Sequence, residues 1–88
     1  MLIEPTTSAA TQDILVDKGT TFTVRGTLGT GVEVEFRVKD EGSGWKPLYE
    51  NDEKVTLTDT NMQFVANGSG WIQVYKPATA NQCGVEAC

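Results

Sequence analysis

One stretch constrains the fold more than any other: Gly31 to Lys39, which reads Gly-Val-Glu-Val-Glu-Phe-Arg-Val-Lys. Side chains of a strand alternate with a period of two, so Val32, Val34, Phe36 and Val38 share one face and Glu33, Glu35, Arg37 and Lys39 the other. The apolar row belongs on a core and the charged row in water. A slip of one residue would bury four charges, so the register of this strand is strongly specified. The same period recurs at Thr20 to Arg25, where Phe22 and Val24 point inward, and at Lys54 to Thr58, where Val55 and Leu57 do. No stretch carries helical periodicity over three turns.

The remaining chain reads as short strands and turns. Asp13 to Asp17 is an apolar run bounded by acids, and Lys18-Gly19 turns it into the next strand. Gly26 to Gly31 holds three glycines; a strand follows it, where a phosphate loop needs a helix and a terminal lysine. Asp40 to Gly44 is a turn. Trp45 to Tyr49 contains Pro47, which cannot donate to a ladder, so this piece lies at a sheet edge or runs as an irregular extended segment. Glu50 to Lys54 is a polar turn rich in acids. Asn67-Gly68-Ser69-Gly70 is the strongest hairpin signal and predicts that Met62 to Ala66 pairs with Trp71 to Lys76. In the latter, Ile72 and Val74 face the core and Trp71, Gln73 and Tyr75 face away. Cys83 to Cys88 is a last short strand. Seven or eight strands spaced in this way predict an all-β fold, a sandwich or small barrel of antiparallel sheets, and of the two a small antiparallel β-sandwich of immunoglobulin-like or jelly-roll-like type is expected. Residues 1–12 lack apolar periodicity beyond Leu2 and Ile3. They are expected as an extended N-terminal arm outside the sandwich domain of residues 13–88, either disordered or ordered on a neighbouring subunit.

Composition narrows the function classes. Eighty-eight residues bury only about 60 to 65% of the surface of their unfolded chain, so association is a natural source of added stability. A net charge of −5 with scattered Lys and Arg argues against nucleic acid and against an anionic membrane surface. No apolar run approaches the roughly 20 residues needed to span a bilayer, and Met-Leu-Ile-Glu-Pro lacks the features of a secretory signal. The chain is therefore expected to stay where it is made unless a larger particle carries it out.

Reactive groups are few. Histidine is absent, and Ser8, Ser43 and Ser69 have no evident base. The acid pairs Asp40-Glu41 and Asp52-Glu53 sit on turns, where carboxylates are solvated rather than tuned. Glu50, Asp52, Glu53 and Asp59 do not follow the spacing of a calcium loop. Cys83 and Cys88 are too few for structural zinc, and two free thiols are favoured over a local disulfide in a reducing cytoplasm. No catalytic residue, metal or cofactor is expected.

The aromatic residues carry more information. Trp45 is assigned to the core, because a small sandwich needs a large side chain to fill it. Trp71 and Tyr75 point away from Ile72 and Val74, and exposed aromatics mark binding surfaces. They suit either a protein neighbour or, together with Tyr49, stacking on sugar rings.

The succession Gly42-Ser43-Gly44-Trp45-Lys46-Pro47-Leu48-Tyr49, then Val55-Thr56-Leu57-Thr58, then Gly68-Ser69-Gly70-Trp71-Ile72-Gln73-Val74 resembles small β-rich accessory virion proteins of tailed bacteriophages. The likeness extends over about Asp13 to Lys76 as a pattern of aromatic and glycine placements. It implies a non-enzymatic structural protein of the capsid decoration or cement type on the outer capsid surface. The implied partner is the major capsid protein or another virion protein, and the implied assembly a homo-oligomer, often a trimer. Leu2 and Ile3 of the arm, with Tyr49, Trp71 and Tyr75, would make the contacts. A carbohydrate-binding or host-attachment module of a phage particle is the alternative.

Overall fold

The computed structural model describes all residues except Asp40, Glu41 and Ser43. It is all β: β1 (Ile3–Thr6), β2 (Ala10–Val16), β3 (Thr21–Gly26), β4 (Val34–Lys39), β5 (Trp45–Pro47), β6 (Tyr49–Glu50), β7 (Glu53–Lys54), β8 (Thr56–Leu57), β9 (Gln63–Val65), β10 (Gly70–Lys76) and β11 (Cys83–Ala87). Two antiparallel sheets face each other as a small sandwich. The first runs β1-β11-β3-β9; the second runs β2-β10-β4-β5, with β8 also on β4. Strands β6 and β7 form a separate hairpin.

The register expected for the Gly31 to Lys39 stretch is the observed one. Val34 and Phe36 are fully buried, whereas Glu35 and Arg37 on the same strand look outward. Phe22 of β3, Phe36 of β4 and Phe64 of β9 meet at the centre, with ring centroids 5.1, 5.2 and 6.3 Å apart. Edge-to-face and offset contacts of this kind add to the burial of the rings themselves and join the two layers. Val24, Leu57, Val74 and Val85 complete the buried core around them.

The N-terminal residues do not form an arm outside the domain. Strand β1 pairs with β11, β2 pairs with β10, and Ile3 is a core residue with Leu2 packed against the same cluster. An apolar pair before Pro5 gives no period to read. Its burial depends on β11, some eighty residues away, whose Gly84 makes room for it. A Cβ at Gly84 would stand 2.5 Å from the Ile3 carbonyl oxygen. The corner between β1 and β2 is also held by Lys76, fully buried, whose Nζ donates to the carbonyl oxygens of Ser8 (2.7 Å) and Pro77 (3.1 Å). An ammonium removed from water needs such acceptors, and here backbone groups supply them.

The predicted hairpin at Asn67-Gly68 is not formed either. Strand β9 pairs with β3 in the first sheet and β10 with β2 and β4 in the second, so residues 67–69 cross between layers. A tight hairpin needs positive φ at both central residues, and neither Asn67 nor Gly68 adopts it. Among the described residues, the consecutive pair that does is Asn51 (φ 52°) and Asp52 (φ 64°), which close the β6–β7 hairpin. Both Phe64 and Ala66 before the crossing and Ile72 after it have apolar faces to bury. Facing each other across the core, they bury those faces from opposite sides.

Candidate docking surface

The outward side chains of the second sheet form ordered rows, because directly opposed residues of antiparallel strands share a face. In the first row Leu15 of β2 lies opposite Trp71 of β10, and Lys39 of β4 lies opposite Trp45 of β5. Leu15 is 63% exposed and Trp71 50%. Trp45 is half-buried on this outer face, with the Lys39 ammonium 5.9 Å from its ring centroid. Its expected place in the core is taken by the three phenylalanines. Position 45 is left on an edge strand whose inward room is already filled.

The second row is a hydrogen-bonded relay. Gln73 Nε2 donates to Asp13 Oδ1 (3.1 Å), and Arg37 Nη1 donates to Gln73 Oε1 (3.0 Å). These links run across three strands and fix the orientation of the Gln73 amide. The third row holds Tyr75 and Glu35, with the Arg37 guanidinium 5.4 Å from the Tyr75 ring centroid. Glu35 accepts from Lys54 Nζ at 2.7 Å and lies 3.5 Å from Arg37. The Lys54 hydrogen bond, with the charges of Lys54 and Arg37, holds the Glu35 carboxyl below its ordinary range, and Glu35 in turn raises Lys54.

The row of Leu15, Trp71, Lys39 and Trp45 ends beside a cleft. About 280 Å³ opens between the sheets where β10 begins, with Val16, Val38, Leu48, Phe64, Ala66 and Ile72 as an apolar floor. Lys39, Glu50, Asn67 and Ser69 stand at its polar rim, and Trp71 belongs to both cleft and face. An inserted apolar side chain would find an apolar floor with hydrogen-bonding groups around its entrance, the usual make-up of a recognition pocket.

Of the residues expected at the site, Trp71 and Tyr75 share this face. Tyr49 is 58% exposed on the β6–β7 hairpin, opposite Lys54, whose ammonium reaches Glu35 at the border of the face. Ile3 is buried in the core and the partly buried Leu2 packs against it, away from this face. The sequence reading missed Leu15, Asp13, Arg37 and Gln73. In Asp13-Ile14-Leu15-Val16-Asp17 three apolar residues stand in a row, so alternation decides only after one asks which parity buries more. Ile14 and Val16 inside leave Leu15 outside.

Other groups are placed for structure. Cys83 is buried and Cys88 exposed, and both are free thiols. Five residues along one strand separate them by roughly 16 Å, far beyond disulfide reach. Burial pushes the Cys83 thiol up, with Lys76 opposing. Arg25, then the Cys88 thiol, hydrogen-bonds Glu86 and lowers its carboxyl. The acid pair Asp40-Glu41 lies outside the described residues. Among the described residues, no three acidic or thiol side chains converge around a common point. No family model matches the chain, and no curated protein or solved structure does so either.

Proposed function

We propose that the chain is a non-enzymatic docking domain, an accessory virion protein of the capsid decoration type, which binds a protein neighbour through the outer face of its second sheet. One observation carries the reading. Leu15 and Trp71 stand side by side on adjacent strands, each at least half exposed, on a sheet whose other face is packed on the core. A partly exposed aromatic beside an aliphatic, at the mouth of an apolar cleft, has the make-up of an interface anchor. The polar relay of Asp13, Gln73 and Arg37 beside it supplies the rim. On an assembled shell such a domain acts by linkage: bound only to the assembled state, its copies together disfavour disassembly.

Sedimentation with purified empty shells tests this. Wild-type protein is expected in the shell pellet and Trp71→Ala in the supernatant. Wild-type protein that stays in the supernatant would defeat the decoration reading.

A second reading has its own support. The Gln73 amide, held between Asp13 and Arg37 next to the Trp71 ring, resembles the pairing of a stacking surface with oriented hydrogen-bonding groups that sugar binding requires. On that reading a glycan panel shifts the tryptophan fluorescence and Gln73→Ala weakens the response. A flat panel removes it.

A further inference from the structure

A sheet edge exposes unpaired backbone N–H and C=O groups and invites another strand, so proteins blunt their edges with brevity, bulges, proline or charge. The edges of this sandwich differ sharply in that respect. In the first sheet, β1 carries Pro5 and a register break between Ile3 and Thr6, and β9 is only three residues long. In the second sheet, β5 has three residues, among them Lys46 and Pro47, and β8 has two. Strand β2 is neither short, bulged nor interrupted by proline. It runs seven residues from Ala10 to Val16 in unbroken register with β10, its single partner among the described residues. It contains no proline, lysine or arginine, and its one charge is Asp13, already engaged by Gln73.

We infer that the free edge of β2 pairs with β2 of a second copy of this chain, antiparallel about a twofold axis, and joins the two second sheets into one continuous ten-stranded sheet. A second copy fits because it brings the same unblunted edge and the same exposed Leu15, so one contact satisfies both strands.

The charges select the register. Pairing that sets Asp13 opposite itself, or opposite Asp17, opposes like charges and is disfavoured. Moving the strands the other way puts Ala9 opposite Leu15 and leaves it poorly covered. The remaining register places Ile14 opposite Ile14 on the axis, Leu15 opposite Asp13, and Val16 opposite Gln12. The two Leu15 side chains are then diagonal neighbours, about 7–8 Å apart at the backbone. The ladder uses residues 12–16, clear of the corner where Ser8 meets Lys76.

The consequence is a longer surface. Leu15 of each copy has Trp71 on its other side, so the two outer faces become one, the Leu15–Trp71 row of each copy abutting the Asp13–Gln73 row of the other with the two Leu15 side chains diagonal across the axis. Two docking faces fixed on one sheet bind a repetitive partner more tightly than either alone. The pairing itself does not depend on the docking reading, and its tests need no partner. A twofold closes at two copies, where the family resemblance pointed to three.

Sedimentation equilibrium of the full chain, in a concentration series reaching about 1 mM because so small an interface is weak, tests the pairing. A reversible monomer–dimer equilibrium is expected. Leu15→Lys, at a side chain exposed in the monomer, should keep the circular dichroism of the wild type and weaken the dimer about tenfold or more by placing a lysine on the edge. The register is read by cross-linking in a Cys88→Ser background. Asp13→Cys chains mixed with Leu15→Cys chains should form the mixed disulfide in preference to either homodimer. A monomer at every concentration, a three-copy assembly, a dimer indifferent to Leu15→Lys, or preferential Asp13→Cys homodimers would each overturn the inference.

Discussion

On the outer face of the first sheet, Arg25 pairs with Glu86 at 3.3 Å and Gln63 donates to Thr23. On the outer face of the second sheet, Leu15, Trp71 and Trp45 lie along one row beside a fixed polar relay. Both faces stand on the same two-layer core and obey the same alternation. What separates them is the solvent-side half of each strand, which folding leaves free to vary. A surface of small and paired polar groups gains little by being covered, whereas one that leaves Leu15 and Trp71 in water gains by leaving it. Val65, exposed at the β9 edge, is an isolated apolar residue on the first face and needs no such account.

The comparison breaks most completely when the shared core is lost. Phe36→Ala removes the ring that touches both Phe22 and Phe64, and a loss of about 3–5 kcal/mol is expected in urea denaturation. Both faces should then fail together. A loss below about 1 kcal/mol would mean that the layers are not joined through these rings.

A smaller change separates the faces. Gly84→Ala drives a methyl group into the backbone of β1 and should cost about 1–3 kcal/mol, with β1 displaced from β11. Because Trp71 and Trp45 lie on the other sheet, their fluorescence emission should hardly move. A large spectral change would show that the two outer faces are coupled.

The smallest effect is electrostatic. Glu35 is lowered from its ordinary 4.5, chiefly by its hydrogen bond from Lys54. Its contribution to stability is therefore present above about pH 4.5 and lost as pH falls through the lower folded value. Lys54, raised from 10.5, keeps its contribution below that pH and loses it as pH rises further. Glu35→Gln should be slightly less stable than wild type near pH 7, with the difference vanishing in acid. An equal difference at pH 3 and pH 7 would show that Glu35 acts through packing. Both groups are largely solvated, so screening keeps the effect small.

How much of this was legible in the sequence differs by region for physical reasons. The inward residues of β3, β4, β8 and β10 were legible, because a period of two with charges between leaves one register. The place of β1 was not, since Ile3 is buried by β11 and no local pattern announces a partner at the far end of the chain. Asn67-Gly68 misled because local turn propensity was overridden by the need to bury Phe64 and Ile72 from opposite layers. For the outer face of the second sheet, Trp71 and Tyr75 followed from alternation in β10. Leu15 and Trp45 did not, because their exposure depends on which neighbours already fill the core. The opposition of Leu15 to Trp71 is a matter of sheet order, which alternation within one strand cannot supply.

Shell binding by two sets of surface variants probes the proposed asymmetry most directly. Leu15→Ala and Trp71→Ala alter the second sheet's outer face; Thr23→Ala and Gln63→Ala alter the first. Docking through the second sheet requires Trp71→Ala to weaken shell binding about thirtyfold or more, the effect of losing an anchor worth about 2 kcal/mol, while the first-sheet pair binds as wild type does. Full binding by Trp71→Ala, together with loss on changing Thr23 and Gln63, would place the contact on the opposite face and contradict it.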